Sequence, residues 1–305
     1  MKNKYNISMC YITAAAVILL FASPCRADVL FIHDFKATEF VMGKQDAELL
    51  IGYTDQAMFI DKKIRYSGEM MTTIFGKVKE GRETTHFLLD KDQIREVDYH
   101  KGRIIVFPFE RLSDISWIKQ KQEISEEAAQ QIIKERYRIS EPVLSVKILP
   151  QKEKMNGYLC HLVEAELRLE TVDVKKNSSS VTLARQKIWV SEAVPGYTQY
   201  RAFHNKLAKR LGVDSVRLGC LSGMLRYWDG SLDPIRKSIK DVKGYPVKSI
   251  ISVEGRYTAG VGTASAKTSS GQIREESMEL REVLTDKPVK TRFPEPSGFG
   301  VTVVE

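Results

Sequence analysis

From Val163 to Glu170 apolar and charged side chains alternate without a break, and Leu159 keeps the apolar parity. Leu159, Val163, Ala165, Leu167 and Leu169 fall on one face, while Glu164, Glu166, Arg168 and Glu170 fall on the other. A period of two is the mark of a strand with one dry and one wet face. The segment is preceded by Lys154-Met155-Asn156-Gly157, and Asn-Gly between two such runs signals a tight hairpin back to Val143–Leu149. The same alternation in Ile64–Phe75 sets Ile64, Tyr66, Met70 and Ile74 against Arg65, Ser67, Glu69 and Thr73. Further strands are predicted at Val29–Thr38, Glu48–Tyr53, Ala57–Asp61, Thr84–Leu89, Ile94–Tyr99, Arg103–Phe107, Val181–Val190, Val247–Tyr257 and Ser277–Leu284, separated by turn residues such as Gly43-Lys44 and His100-Lys101-Gly102. Short strands at this spacing build an antiparallel meander, not βαβ units.

Helices are signalled in two places. Ser125 caps a run whose apolar stripe is Ala129, Ile132, Ile133 and Tyr137, stopped by Pro142. Tyr200–Leu211 places Phe203, Leu207 and Leu211 opposite Arg201, Lys206, Lys209 and Arg210, and further helical turns are expected at Val216–Trp228 and Asp233–Val242. Ala259–Gly271 is almost entirely Gly, Ala, Ser and Thr and reads as a flexible hairpin loop, while the tail from Phe293 carries only Pro and Gly turns. The expected architecture is α+β, mainly antiparallel.

The first 27 residues read as a secretory signal. Lys2 and Lys4 form the basic start, Ile12–Ala22 the apolar stretch, and Pro24-Cys25-Arg26-Ala27 the exit, so cleavage is expected after Ala27. Residues 28–305 are then one periplasmic domain with a helical insertion around 200–242. Export leaves Cys160 and Cys220 in an oxidising compartment, where two readings stand: a disulfide closing a loop of about 60 residues, or two buried thiols.

Charge is uneven. The whole chain has 47 Lys+Arg and 39 Asp+Glu, and Arg185–Ile250 alone holds thirteen basic against five acidic residues. For an exported chain this excludes nucleic acid as the expected partner and favours anionic lipid head groups at a membrane surface or an acidic envelope protein, met by Arg201, Lys206, Lys209 and Arg210. An ordinary solvated surface explains the same residues.

Catalytic motifs fail on spacing. Lys267-Thr268 lacks the glycines of a phosphate loop, Gly219-Cys220-Leu221-Ser222-Gly223 has its serine one place late for a nucleophile elbow, and Ser116-Trp117-Ile118-Lys119 has no partner motif. His33, His86, His100, His161 and His204 show no ligand spacing. No catalytic residue, metal site or cofactor is assigned, and a non-enzymatic role is expected.

Taken in order, Asn156-Gly157-Tyr158-x-Cys160, Ile188-Trp189-Val190 with Pro195-Gly196 and an amphipathic helix, Gly244-Tyr245-Pro246-Val247, and Phe293-x-x-Pro296-x-Gly298-Phe299 resemble the exported DUF4412-type proteins and, more distantly, the periplasmic lipoprotein-carrier superfamily. The resemblance covers most of residues 28–305. It implies a curved antiparallel half-barrel whose concave face is plugged by helices around an apolar cavity, and a role in binding lipid or lipidated protein. The helical insertion and the Ala259–Gly271 loop depart from the carriers, and no arginine matches their functional one. On this view Ile64, Tyr66, Met70, His161, Val163, Leu167, Ile251, Val253, Met278 and Leu280 line the ligand face. The competing reading is that they form a filled core.

Overall fold

The computed structural model describes residues 28–39, 43–67, 79–109, 135–211, 237, 241–285 and 296–304. In chain order these form β1 (Val29–Glu39), β2 (Gly43–Tyr53), β3 (Ala57–Ser67), β4 (Lys79–Leu88), β5 (Gln93–Asp98), β6 (Arg103–Pro108), β7 (Tyr137–Ile139), β8 (Val143–Met155), β9 (Tyr158–Asp173), β10 (Ser178–Ser191), α1 (Tyr197–Leu211), β11 (Tyr245–Ala259), β12 (Lys267–Leu284) and β13 (Gly300–Val303). All thirteen strands join one open, curved sheet in the order β13-β6-β5-β4-β3-β2-β1-β12-β11-β10-β9-β7, with β8 also on β9. The architecture is an α+β half-barrel, as expected.

Closure of the meander depends on a pairing of distant segments. β1 meets β12 antiparallel, Phe35 opposite Met278 and Ala37 opposite Glu276, so the first and last long strands lie at the centre of the sheet. The predicted hairpin turns hold: Asn156 and Gly157 both take positive φ, the geometry Asn-Gly tolerates at low cost. The outer face is wet, and ion pairs cross its strands: Arg185 with Glu166 and Glu254, Lys187 with Glu164, Lys248 with Glu279, and Arg281 with Asp34 and Glu48. Exposed pairs of this kind contribute little stability singly. They keep the outer face soluble and leave the apolar face to turn inward.

Several expectations are corrected. Ala57–Asp61 and the start of Ile64–Phe75 are one strand, because the charges between them are satisfied in place: Asp61 accepts two hydrogen bonds from Arg82, both at 2.8 Å, and Lys62 lies over the Phe35 ring. Tyr137 is in β7, opposite Asp173, not in a helix; Arg136 bonds Asp173 and stacks on the Tyr137 ring. Leu159 is 57% exposed, since at the tip of the β8–β9 hairpin it is Cys160 and Leu162 that turn to the core, beside a register shift in β8 between Ile148 and Lys152. Only the middle of Ala259–Gly271 is a loop, because Thr258 and Thr268 pair across the strands and β12 begins at Lys267. The tail adds β13, which runs parallel to β6. The signal segment, Met70, Ser125–Ile133, Val216–Trp228 and Cys220 lie outside the described residues.

α1 lies against one end of the inner face. Phe203 and Leu207 are buried with Val29, Phe31, Tyr53, Val247 and Leu280 in the main core cluster. The helix begins at Tyr197, three residues earlier than expected, after the Pro195-Gly196 turn. Gly196 has a φ of +82°, and a Cβ there would fall 2.3 Å from the Val29 side chain, so only glycine admits the helix this close to β1.

Candidate functional site

Two adjacent rows cross the inner face beyond the helix, and register alone assembles them. The first runs Val163, Ile188, Ser249, Met278, Phe35, Ala47, Ile64 and Gly81, each residue directly opposite the next on β9, β10, β11, β12, β1, β2, β3 and β4. The second runs Ala165, Gln186, Ile251, Glu276, Ala37, Gln45 and Tyr66. Beside it, Leu167 and Val253 lie on either side of Ala184. Seven of the ten sequence-predicted positions, Ile64, Tyr66, Val163, Leu167, Ile251, Val253 and Met278, thus share one continuous surface. An open groove of about 1000 Å³ spans β1–β4 and includes Phe35, Ala47, Ile64, Tyr66 and Gly81 in its lining. That is at the upper end of volumes that hold small ligands. Six carboxylates and four cations are also among its lining residues.

The rows are not uniformly greasy. Gln186, Glu276 and Gln45 in the second and Ser249 in the first are each less than a tenth exposed. Gln186 Nε2 donates to Ser249 Oγ at 3.1 Å, and Arg274 holds the Glu276 carboxylate. Gln186 Oε1 is buried with no hydrogen-bond partner among the described residues. A buried acceptor left unpaired is costly.

The helix-covered end is different. Phe31 stacks on Tyr245 with centroids 3.9 Å apart, and Tyr53 meets Tyr200, Phe203 and His204 edge-on. Two histidine–tyrosine hydrogen bonds tie the elements together, His33 to Tyr245 at 2.6 Å and His204 to Tyr53 at 3.0 Å. Burial pushes His33 down to about 4 and His204 to about 3, and raises both phenols well above 10, so all four groups are neutral near pH 7. The gap between α1 and β10–β11 is only about 60 Å³, room for a few waters.

One predicted ligand residue belongs to this packed end: Leu280 sits opposite His33 and is 1% exposed in the helix cluster, so matching parity does not keep it in the groove. His161 is half-buried and paired with Val190 and Lys152, outside the two rows.

The basic helical face is likewise only partly free. Lys206 donates to the Asp55 carbonyl at 2.7 Å, and Arg210 bonds the Asp92 carboxylate, which fastens α1 to the β2–β3 and β4–β5 turns. Arg201 stacks on Tyr197, and it and Lys209 remain exposed. Cys160 is a free, buried thiol whose Sγ lies 3.6 Å from the Tyr158 carbonyl, which fits the buried-thiol reading of the two; burial raises its pKa. Among the described residues, no three His, Cys, Asp or Glu side chains gather as a metal set, and no helix is long and apolar enough to cross a membrane.

Phe35, Ala47, Gln186 and Ser249 are the site residues that sequence reasoning missed. Phe35 carried a usable signal, since it alternates with Phe31 and His33 on a predicted strand. Ala47 and Ser249 have no such signal, because only the pairing of β1 with β12 brings them into line.

Compared with known proteins, the chain matches no family model and no curated sequence. Among solved structures it aligns with a DUF1329 family protein from Desulfovibrio piger, covering 90% of this chain and 91% of that one, at 10% identity and a TM-score of 0.17.

Proposed function

We propose that this is a non-enzymatic periplasmic protein that binds an apolar or amphipathic ligand, a lipid or an acyl chain, on the inner face of its half-barrel. The observation that carries the reading is the groove across β1–β4, which meets the register row from Met278 through Phe35, Ala47 and Ile64. A row of apolar side chains left beside open volume costs stability that a filled core would have kept. A guest that covers those side chains recovers it. The resemblance to DUF4412-type proteins and lipoprotein carriers supports lipidated cargo as the natural class.

The test is native mass spectrometry on protein gently purified from a fractionated cell envelope, combined with titration of a fluorescent alkyl probe. The reading expects the protein in the periplasmic fraction, adducts of lipid mass that leave on activation, and saturable probe binding. Clean apo spectra together with no saturable binding would remove it.

A further inference from the structure

We propose that the inner face selects a neutral amphiphile, with the alkyl chain laid along the Met278–Phe35–Ala47–Ile64–Gly81 row and a hydroxyl or amide head hydrogen-bonded by Gln186 and Ser249. This rests on the chain-binding reading above and names its ligand class. Ser249 and the chain row are collinear: it stands directly opposite Met278, which stands opposite Phe35. From Ser249 to Gly81 is five strand spacings, about 24 Å along the sheet at ~4.8 Å per strand. A long alkyl chain fits that span. Gly81 leaves the far end of the row open, because a Cβ there would meet no atom within 4 Å.

The head-group chemistry follows from what is already satisfied at the near end. Gln186 Nε2 is spent on Ser249 Oγ, which leaves the Gln186 Oε1 as a buried acceptor without a partner among the described residues. Ser249 accepts that bond and keeps its own proton to donate. One free acceptor beside one available donor fits a hydroxyl or an amide N–H, which offers both or answers the acceptor. It does not fit a carboxylate or phosphate, whose oxygens would face the Gln186 carbonyl oxygen and, two row positions away beyond Ile251, the Glu276 carboxylate. Arg274 does not reverse this, since it already holds Glu276. On a face that could have been apolar at every inward position, an unpaired buried acceptor is the kind of local inconsistency that marks a binding role.

The experiment is displacement of the neutral probe N-phenyl-1-naphthylamine at pH 8 by 1-monolauroylglycerol, N-lauroylethanolamine and laurate, which share one chain length. The wild-type protein is expected to release the probe at tenfold or more lower concentration of the two neutral ligands than of laurate. Gln186→Leu is expected to abolish that preference while laurate still competes, and Ser249→Ala to reduce it. Ser249→Ala serves alone if Gln186→Leu does not fold by near-UV circular dichroism. Equal competition by laurate in the wild type, or a preference unchanged in the variants, overturns the head-group assignment and leaves chain binding standing. A protein that binds neither probe nor any of the three ligands overturns chain binding itself, and this assignment with it.

Discussion

The two ends of the inner face use the same kinds of side chain for opposite purposes. Under α1, Phe31, Tyr53, Phe203 and Tyr245 are almost fully buried, their rings touch, and the remaining gap is about 60 Å³. Across β1–β4, Phe35, Ala47 and Tyr66 are only half-buried and border a groove of about 1000 Å³. The difference does not arise in the strands, since β1 and β2 run through both ends. It arises from the cover: a helix anchored by Gly196, the His204–Tyr53 bond and the Arg210–Asp92 pair fills one end. Stability is therefore concentrated away from the proposed binding groove.

The largest effect should come from breaking the covered end. Phe203→Ala removes a ring that is 1% exposed and should cost about 3–5 kcal/mol in urea unfolding, whereas Phe35→Ala should cost less than half as much. Equal costs would mean that both ends are packed cores.

Acid should weaken the covered end next. His33 and His204 titrate at about 4 and about 3 in the folded protein, below the 6.5 of an unfolded chain. The unfolded state therefore takes up protons first: their contribution is complete above pH 6.5 and is lost as pH falls through 6.5 toward 3–4. At roughly 1.4 kcal/mol per pH unit for each group, the loss by pH 4 is on the order of several kcal/mol. His204→Gln should flatten that slope in unfolding measurements from pH 7 to pH 4. An unchanged slope would place the acid sensitivity elsewhere.

Much of this arrangement was legible in the residues, and the exceptions have a common cause. Strand alternation in Tyr158–Glu170 and the Asn156-Gly157 turn are local patterns, and they fixed the meander and most of its inward positions. Leu280 and His161 were assigned to the ligand face by parity, which is correct only where a strand stays in one environment. Leu280 lies in the helix-covered cluster, and His161 pairs with Val190 and Lys152 at the start of β9. Ala47, Gln186 and Ser249 escaped notice because their significance depends on pairing between segments as far apart as Phe35 and Met278, and a single sequence does not record that register. Lys206 and Arg210 looked like a free basic face for a related reason, as their partners Asp55 and Asp92 sit in turns more than a hundred residues away.

A change in the groove should separate binding from stability. Ala47→Trp places an indole in the groove and should lower alkyl-probe affinity at least tenfold while shifting unfolding by no more than about 1 kcal/mol. A large destabilisation with intact binding would show that Ala47 is core and the ligand is elsewhere. The smallest effect is expected at the helix anchor: Arg210→Ala breaks an exposed ion pair and should cost less than about 1 kcal/mol, detectable as faster amide exchange in α1 before it is visible in the unfolding curve.

On the proposed reading an alkyl chain lies along the row from β12 to β3, outside the helix-covered end. The most direct test is photolabelling with a long-chain diazirine alcohol, followed by peptide mapping. Labels should fall on Phe35, Ala47, Ile64 and Met278 and be suppressed by excess unlabelled ligand. Labels confined to α1 or the outer face, or labelling that excess ligand does not suppress, would contradict it.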